Sequence, residues 1–263
     1  MAKTISTGFI TDTVNGIKIN KSMPTNKGNY ETYSKRTVKY IVMHYTGNKK
    51  DTAYANANYF KGANRNASAH FFVDDSNIYN TVALKDKAWH CGGSKYYHSE
   101  CRNTNAIGIE MCCTAGNYKI SEKTLTNSAY LVANLCKRLD ITEKDVDKYV
   151  IRHYDVTHKT CPAQMADGKD NDADWVAFKN KVKKILAPTP TTKTVNYVVR
   201  VTADSLNIRK GPGTSYSVIG SIKDKGAYTI VKEYKNGSTT WGLLKAGPVK
   251  GSSWISLGYT KKV

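Results

Sequence analysis

Hydrophobic positions in the first two thirds of the chain follow strand-like and helix-like patterns in turn. Short β-rich apolar runs at residues 38–44 and 105–112 predict two buried strands. Apolar residues spaced three or four apart over residues 125–139 predict an amphipathic helix, and Ser121 stands where its N-cap belongs. The first two thirds of the chain are therefore predicted to contain both strands and helices.

Further runs extend this alternation. Residues 69–73 and 78–82 flank a polar turn and predict a hairpin, while residues 149–153 predict another strand. Residues 52–61 and 172–186 predict two more helices. Strands mixed with amphipathic helices indicate an α/β fold with a mixed central sheet flanked by helices.

The last part of the chain has a different pattern. Short apolar runs separated by Gly, Pro, Asn and Asp turns predict a small all-β barrel. The predicted strands are residues 205–209, 218–222, 228–231, 241–244 and 253–257. A Pro/Thr-rich stretch at 187–194 predicts an extended linker, which divides the chain into domains at 1–186 and 195–263.

Composition narrows the possible partners. A hydrophobic fraction of 40% supports a folded core and excludes a disordered chain. A net charge of +19, from 40 Lys+Arg and 21 Asp+Glu, favours a polyanionic partner: nucleic acid, a membrane surface or a cell-wall polymer. No apolar run approaches the roughly 20 residues of a membrane span, and we identify no secretory signal. We therefore expect synthesis in the cytoplasm.

Candidate chemistry is confined to the first part, because all six histidines and all six cysteines lie between His44 and Cys161. His44 and His153 end predicted strands, and Cys161 follows eight residues after His153. Catalytic zinc takes three protein ligands of these types and leaves one position for water. The pattern alone also allows two hydrogen-bonded histidines and a buried thiol.

Five separated motifs add a family resemblance. They are residues 42–47 (VMHYTG), 68–74 (SAHFFVD), 89–92 (WHCG), 105–110 (NAIGIE) and 153–162 (HYDVTHKTCP). Their order and spacing resemble the zinc N-acetylmuramoyl-L-alanine amidases, within the phage endolysin and autolysin branch that shares the fold of peptidoglycan recognition proteins. The resemblance covers most of residues 30–186 and implies one zinc ion per chain.

This resemblance assigns roles to particular residues. The zinc ligands that it implies are His44, His153 and Cys161. It also implies that a zinc-activated water attacks the amide between N-acetylmuramic acid and L-alanine, with Glu110 as the catalytic carboxylate that moves the proton. Lys159 would then offset negative charge on the carbonyl oxygen. A tyrosine that some members use in catalysis is replaced by Ala69, which leaves the role of base to Glu110 alone.

Three aromatic side chains are weaker candidates for substrate contacts. They are His90, Trp89 and Tyr45, each inside or beside a motif. Cys91 and Cys101 leave two alternatives open: a disulfide, which the loop length permits, or reduced thiols, which the cytosol favours.

The second domain carries its own resemblance. Residues 203–216 (ADSLNIRKGPGTSY), with residues 218–220 and Trp254, resemble a bacterial SH3-type domain. In that family such domains bind the cell wall, which the resemblance implies here. Residues 195–263 hold 11 basic and 3 acidic residues, so the domain expected to anchor the protein is also densely charged.

Taken with the motifs, the sequence predicts a monomeric peptidoglycan amidase that acts on the bacterial cell wall after release from the cytoplasm. The main alternative is a non-catalytic peptidoglycan-binding protein of the same fold, against which the retained Cys161 argues. A nucleic-acid-binding protein is suggested by charge alone, and no recognised nucleic-acid motif supports it. A cysteine peptidase using Cys161 and His153 is a third alternative.

Overall fold

The computed structural model describes residues 2–166, 172–187 and 191–263. The chain divides into two compact units, Met1–Leu186 and Ala187–Val263, each with its own hydrophobic core. Of the predicted linker, residues 188–190 lie outside the described residues, and residues 191–194 are the start of a strand instead. Within the described ranges no helix is long and apolar enough to cross a membrane.

Among its described residues, the first unit combines eleven short strands with five α-helices. Its strands are β1 (Lys3–Ile5), β2 (Thr13–Val14), β3 (Ile17–Lys18), β4 (Tyr30–Glu31), β5 (Arg36–Val38), β6 (Tyr40–Tyr45), β7 (Phe71–Val73), β8 (Ile78–Asn80), β9 (Lys87–Ala88), β10 (Ala106–Met111) and β11 (Val150–Arg152). Its helices are α1 (Ala53–Phe60), α2 (Glu122–Arg138), α3 (Val146–Tyr149), α4 (His153–Thr157) and α5 (Ala173–Leu186).

Five strands form a central sheet in the order β11-β6-β10-β7-β8. The pairings of β11 with β6, β6 with β10 and β10 with β7 are parallel, and β8 runs antiparallel to β7. The predicted mixed α/β fold is therefore confirmed. The predicted hairpin of β7 and β8 is also present.

Both faces of this sheet are buried. Phe71 lies in the core that contains Leu131 of α2, whereas its neighbour Phe72 lies in a separate cluster with Ala53 of α1. Successive strand residues point to opposite faces, so helices cover both sides. This explains why β6 and β10 are nearly continuous apolar runs.

Helix α2 begins where its sequence predicts. The Ser121 hydroxyl accepts a hydrogen bond from the Thr124 amide at 3.0 Å, which caps the helix. The Asp75 carboxylate accepts hydrogen bonds from the Ser121 and Thr124 hydroxyls, so the loop between β7 and β8 holds this helix end in place.

The segment after β11 departs from the prediction. The strand ends at Arg152, and His153–Thr157, expected as a strand end followed by a loop, forms helix α4 instead. The Asp155 carboxylate accepts a hydrogen bond from the Arg152 amide at 2.7 Å and pairs with the buried Arg152 guanidinium at 2.6 Å. These contacts close a helical turn directly after the strand.

The second unit is all-β, as predicted. Its strands are β12 (Thr191–Val201), β13 (Leu206–Arg209), β14 (Val218–Ile222), β15 (Ala227–Asn236), β16 (Thr239–Leu244), β17 (Trp254–Ser256) and β18 (Thr260–Lys262). They form one antiparallel sheet in the order β14-β13-β17-β16-β15-β12-β18. Residues buried in its core include Val199, Ile208, Ile230 and Ile255.

Candidate metal centre

Three predicted ligands lie together at one edge of the central sheet. His44 is near the carboxyl end of β6, His153 opens α4 directly after β11, and Cys161 follows in the next segment. All three are buried, and one ligand atom from each lies within 4.8 Å of the others. The carboxyl ends of adjacent parallel strands meet at the same edge, which is where α/β sheets bind ligands.

Glu110 lies at the same edge. Strand β10 places it opposite His44 in the parallel register of β6 and β10. Its Oε2 is buried and has no hydrogen-bond partner among the described residues. Burial raises the pKa of Glu110 to about 8, an increase that Lys159 opposes and Asp51 adds to. A carboxyl group that titrates near neutral pH can both take up and release a proton.

Both histidines of the cluster are held in the neutral form. Burial, together with a smaller contribution from the positive charge of Lys159, lowers the pKa of His153 to about 4. The pKa of His44 is lowered well below its usual value by burial, with His90, His153 and Lys159 contributing. Neutral imidazole is the form that binds a metal.

The Cys161 thiol is the third donor. Its Sγ lies 3.7 Å from Nδ1 of His44. Burial, together with a smaller contribution from Glu110, raises the pKa of Cys161 to about 12. A divalent cation would offset that cost because cysteine binds zinc as the thiolate. This donor set fits a catalytic zinc ion. It has two neutral imidazoles and one thiol, and the Glu110 carboxyl group on the same sheet edge has an oxygen without a hydrogen-bond partner in the described part of the chain.

His90 contacts His44, one of the three predicted ligands. Its Nδ1 lies 3.0 Å from Nε2 of His44, so it can hold the ring that faces Cys161. The side-chain oxygen of Asn103 accepts a hydrogen bond from the His90 amide at 3.0 Å. A Cβ on Gly108 would lie 2.4 Å from the His90 ring, so only glycine fits there.

Sequence analysis missed this orienting contact and predicted a substrate contact for His90. The glycine in the middle of the NAIGIE strand was the available signal, because a strand-interior glycine often marks a close approach by another group. His153 has a similar support, since its Nε2 lies 3.3 Å from the Gly92 carbonyl oxygen.

The other predicted residues lie at different places. Lys159 is exposed, and its charge acts on the pKa values of the cluster. Tyr45 is half-buried beside His44, close enough to Cys161 for that thiol to influence its pKa. Trp89 instead interacts with Glu31, where it is one of the groups that lower the pKa of that carboxylate.

All six cysteines are free and buried. Of the two alternatives for Cys91 and Cys101, the structure therefore has the reduced thiols.

Comparison with known proteins agrees with this geometry. Residues 34–164 match the family model described as N-acetylmuramoyl-L-alanine amidase, Amidase_2. The N-acetylmuramoyl-L-alanine amidase BlyA of Bacillus subtilis (strain 168) is 30% identical over 248 residues, which cover 83% of this chain and 66% of BlyA. The amidase CwlL of Bacillus licheniformis is 30% identical over 197 residues, covering 72% of this chain and 52% of CwlL. The chain thus spans only about half to two thirds of these relatives.

Solved structures show the same fold over the first unit. The catalytic domain of XlyA superposes with a TM-score of 0.52 at 28% identity, covering 63% of this chain and 99% of that domain. The PlyG catalytic domain gives a TM-score of 0.52 at 26% identity, covering 66% of this chain and 100% of that domain. The similarity is therefore to whole catalytic domains.

Proposed function

We propose that the chain is a zinc-dependent peptidoglycan amidase, on the premise that residues 34–164 match the N-acetylmuramoyl-L-alanine amidase family model. It cleaves the amide between the lactyl group of N-acetylmuramic acid and the L-alanine of the stem peptide. The observation that carries this proposal is the convergence of His44, His153 and Cys161 at the sheet edge that also holds Glu110.

The residues of the site divide the work. Zinc held by His44, His153 and Cys161 would supply a Lewis acid and lower the pKa of water to about 7. Glu110 takes a proton from the attacking water and delivers it to the leaving amine of L-alanine, a transfer that suits its raised pKa. Lys159 places positive charge near the carbonyl oxygen, where negative charge develops.

For the second unit we propose wall anchoring by an SH3-type domain. Its net charge is positive, with 11 basic and 3 acidic residues over 195–263. A groove of about 1000 Å³ in this unit is lined mainly by hydroxyl, amide and aromatic groups, including Asn207, Thr240 and the exposed Tyr259, with Arg209 as its cation. Such a groove suits a polar wall component. The proposed place of action is the bacterial cell wall, and the proposed oligomeric state is a monomer.

The products released from purified cell walls test this function. An amidase releases free amino groups and no new reducing sugars, and a zinc chelator stops the release. Reducing sugars as the main product would overturn the proposal. A protein that contains zinc and binds walls, yet releases neither product, would support the binding-only alternative.

A further inference from the structure

A strained turn lies between β10 and α2. Gly116, Asn117 and Tyr118 all have left-handed backbone, with φ of 77°, 48° and 61°. The Lys119 amide donates a hydrogen bond to the Gly116 carbonyl oxygen at 2.9 Å, which closes a turn with Asn117 and Tyr118 at its centre. Positive φ at both central residues is the type I′ pattern, in which the second position favours glycine. A tyrosine there is strained where a glycine would not be.

This turn extends from the sheet edge that carries the metal centre. Tyr118 follows Glu110 by eight residues, and the segment after His44 leaves the same edge on the neighbouring strand. The Tyr118 amide donates to the Lys49 carbonyl oxygen at 3.1 Å, which ties the two segments together. The Thr46 amide likewise donates to the Met111 carbonyl oxygen at 3.1 Å.

The strained turn leaves the Tyr118 side chain exposed to solvent in a segment that is rich in lysine. Tyr118 is 53% exposed, which is a high fraction for so large an aromatic residue. Three exposed lysines are near it through the backbone: Lys119 is the next residue, Lys49 accepts the backbone hydrogen bond of Tyr118, and Lys50 follows Lys49. Asp51, the acidic residue next to Lys50, is engaged elsewhere, because its carboxylate accepts hydrogen bonds from the Cys113 amide and the Asn56 side chain.

We propose that Tyr118, with Lys49, Lys50 and Lys119, binds the carboxylate-bearing stem peptide of the substrate. Backbone strain held at a site edge marks a position where the side chain does something that glycine cannot. The charges select the peptide over the glycan, because the lactyl carboxyl group of the glycan is already consumed in the scissile amide. The remaining carboxylates are those of the peptide. This inference rests on the proposed function for the identity of the ligand.

Binding calorimetry on two ligands tests the proposal. The chain would carry Glu110→Gln to prevent cleavage. The two ligands would be N-acetylmuramoyl tripeptide, with free carboxylates, and N-acetylmuramoyl-L-alaninamide, in which the alanine carboxyl group is an amide and no carboxylate remains. Tyr118→Gly should raise the Kd for the tripeptide about tenfold. The Kd for N-acetylmuramoyl-L-alaninamide should stay within about twofold. Tyr118→Phe should keep tripeptide affinity, because it retains the ring.

A matched control is available on helix α1. Tyr54 is also 53% exposed, so Tyr54→Ala removes an equally exposed ring from a helix instead of the turn. It should leave both Kd values within about twofold. Lys119→Gln should weaken tripeptide binding about threefold and reduce its dependence on salt.

Thermal unfolding separates a binding role from a structural one. Because glycine relieves the left-handed strain, Tyr118→Gly should keep Tm or raise it by up to about 4 °C. Weaker tripeptide binding together with a lower Tm would make Tyr118 a structural residue and overturn the inference. So would an unchanged tripeptide Kd, and equal weakening for both ligands would assign the contact to the sugar instead.

These outcomes are distinct from failure of the proposed function. If the wild-type chain releases no amino groups from walls but Tyr118→Gly still weakens the tripeptide selectively, the cleavage proposal fails and the peptide contact stands.

Discussion

The two units differ in where they place ionisable groups. The first unit brings the buried His44 and Cys161 together on the same sheet edge as Glu110, whose Oε2 is buried, and burial is the main cause of all three pKa shifts. In the second unit the shifted groups include Tyr197 and Asp224 near the surface, while the core is aliphatic. Burying ionisable groups costs free energy, so such a cluster indicates function more strongly than surface charge does. This contrast supports the proposal that the first unit carries the chemistry and the second unit the surface attachment.

The largest expected effect separates chemistry from metal binding within the first unit. Glu110→Gln should lower kcat by about 10²- to 10⁴-fold, because the amide cannot move the proton. Zinc content should stay near one ion per chain, and binding to walls should not change. Glu122→Gln is the control, since that carboxylate on α2 has 76% of its side chain exposed. Activity of Glu110→Gln close to that of the control would remove Glu110 from the mechanism.

A smaller loss of turnover is expected when a positive charge is removed from the candidate site but not when one is removed from the second unit. Lys159→Met should lower kcat about 10- to 100-fold by removing positive charge beside the carbonyl oxygen. Lys159→Arg should restore most of that loss. Lys261→Met, on β18 of the second unit, removes the same charge and should leave turnover of a soluble muramyl peptide unchanged. Equal effects of the two methionine variants would show that only overall charge matters.

Removal of the second unit should change attachment more than cleavage. A chain ending at residue 187 should cleave a soluble muramyl peptide within about twofold of the full rate. Its retention on sedimented walls should fall about tenfold or more, because one of two attachment points is lost. Raising the salt concentration should likewise weaken retention of the full chain more than turnover. Loss of soluble turnover on truncation would show that the units do not divide the work as proposed.

The smallest expected effect on cleavage comes from a substitution in the hydrophobic core of the second unit. Ile255 is fully buried there, so Ile255→Ala should destabilise that unit by about 2–5 kcal/mol. Leu131→Ala, in the core of the first unit, should cost a similar amount. Scanning calorimetry should show each variant lowering a different transition. A single transition lowered by both variants would mean that the two units unfold together.

The sequence predicted those parts of the site that depend on local pattern. His44 and Glu110 end buried strands whose apolar runs are visible without a structure, and parallel pairing then brings them together. Helix α4 was not predictable in this way, because it depends on a pair between Asp155 and a guanidinium that becomes buried only on folding. The contact of His90 with His44 similarly depends on close packing against Gly108.

In two other places, contacts between segments distant in sequence produce a structure that the local composition did not predict. The Pro/Thr-rich stretch suggested a linker, yet Thr191 and Thr194 pair with Lys235 and Lys232 of β15. The turn at Tyr118 lacks the Asn-Gly signature of its type, and its tie to Lys49 joins segments that are distant in sequence. Such contacts depend on tertiary structure rather than on local propensity.

Metal reconstitution tests the central claim most directly. The metal-free chain, prepared with a chelator, is titrated with zinc while amino-group release from walls is measured. The account predicts no activity without metal, a linear rise with added zinc and a plateau at one ion per chain, with neither zinc retention nor activity in His44→Ala. Full activity in the metal-free chain, lost on thiol alkylation, would contradict the account and favour Cys161 as a nucleophile.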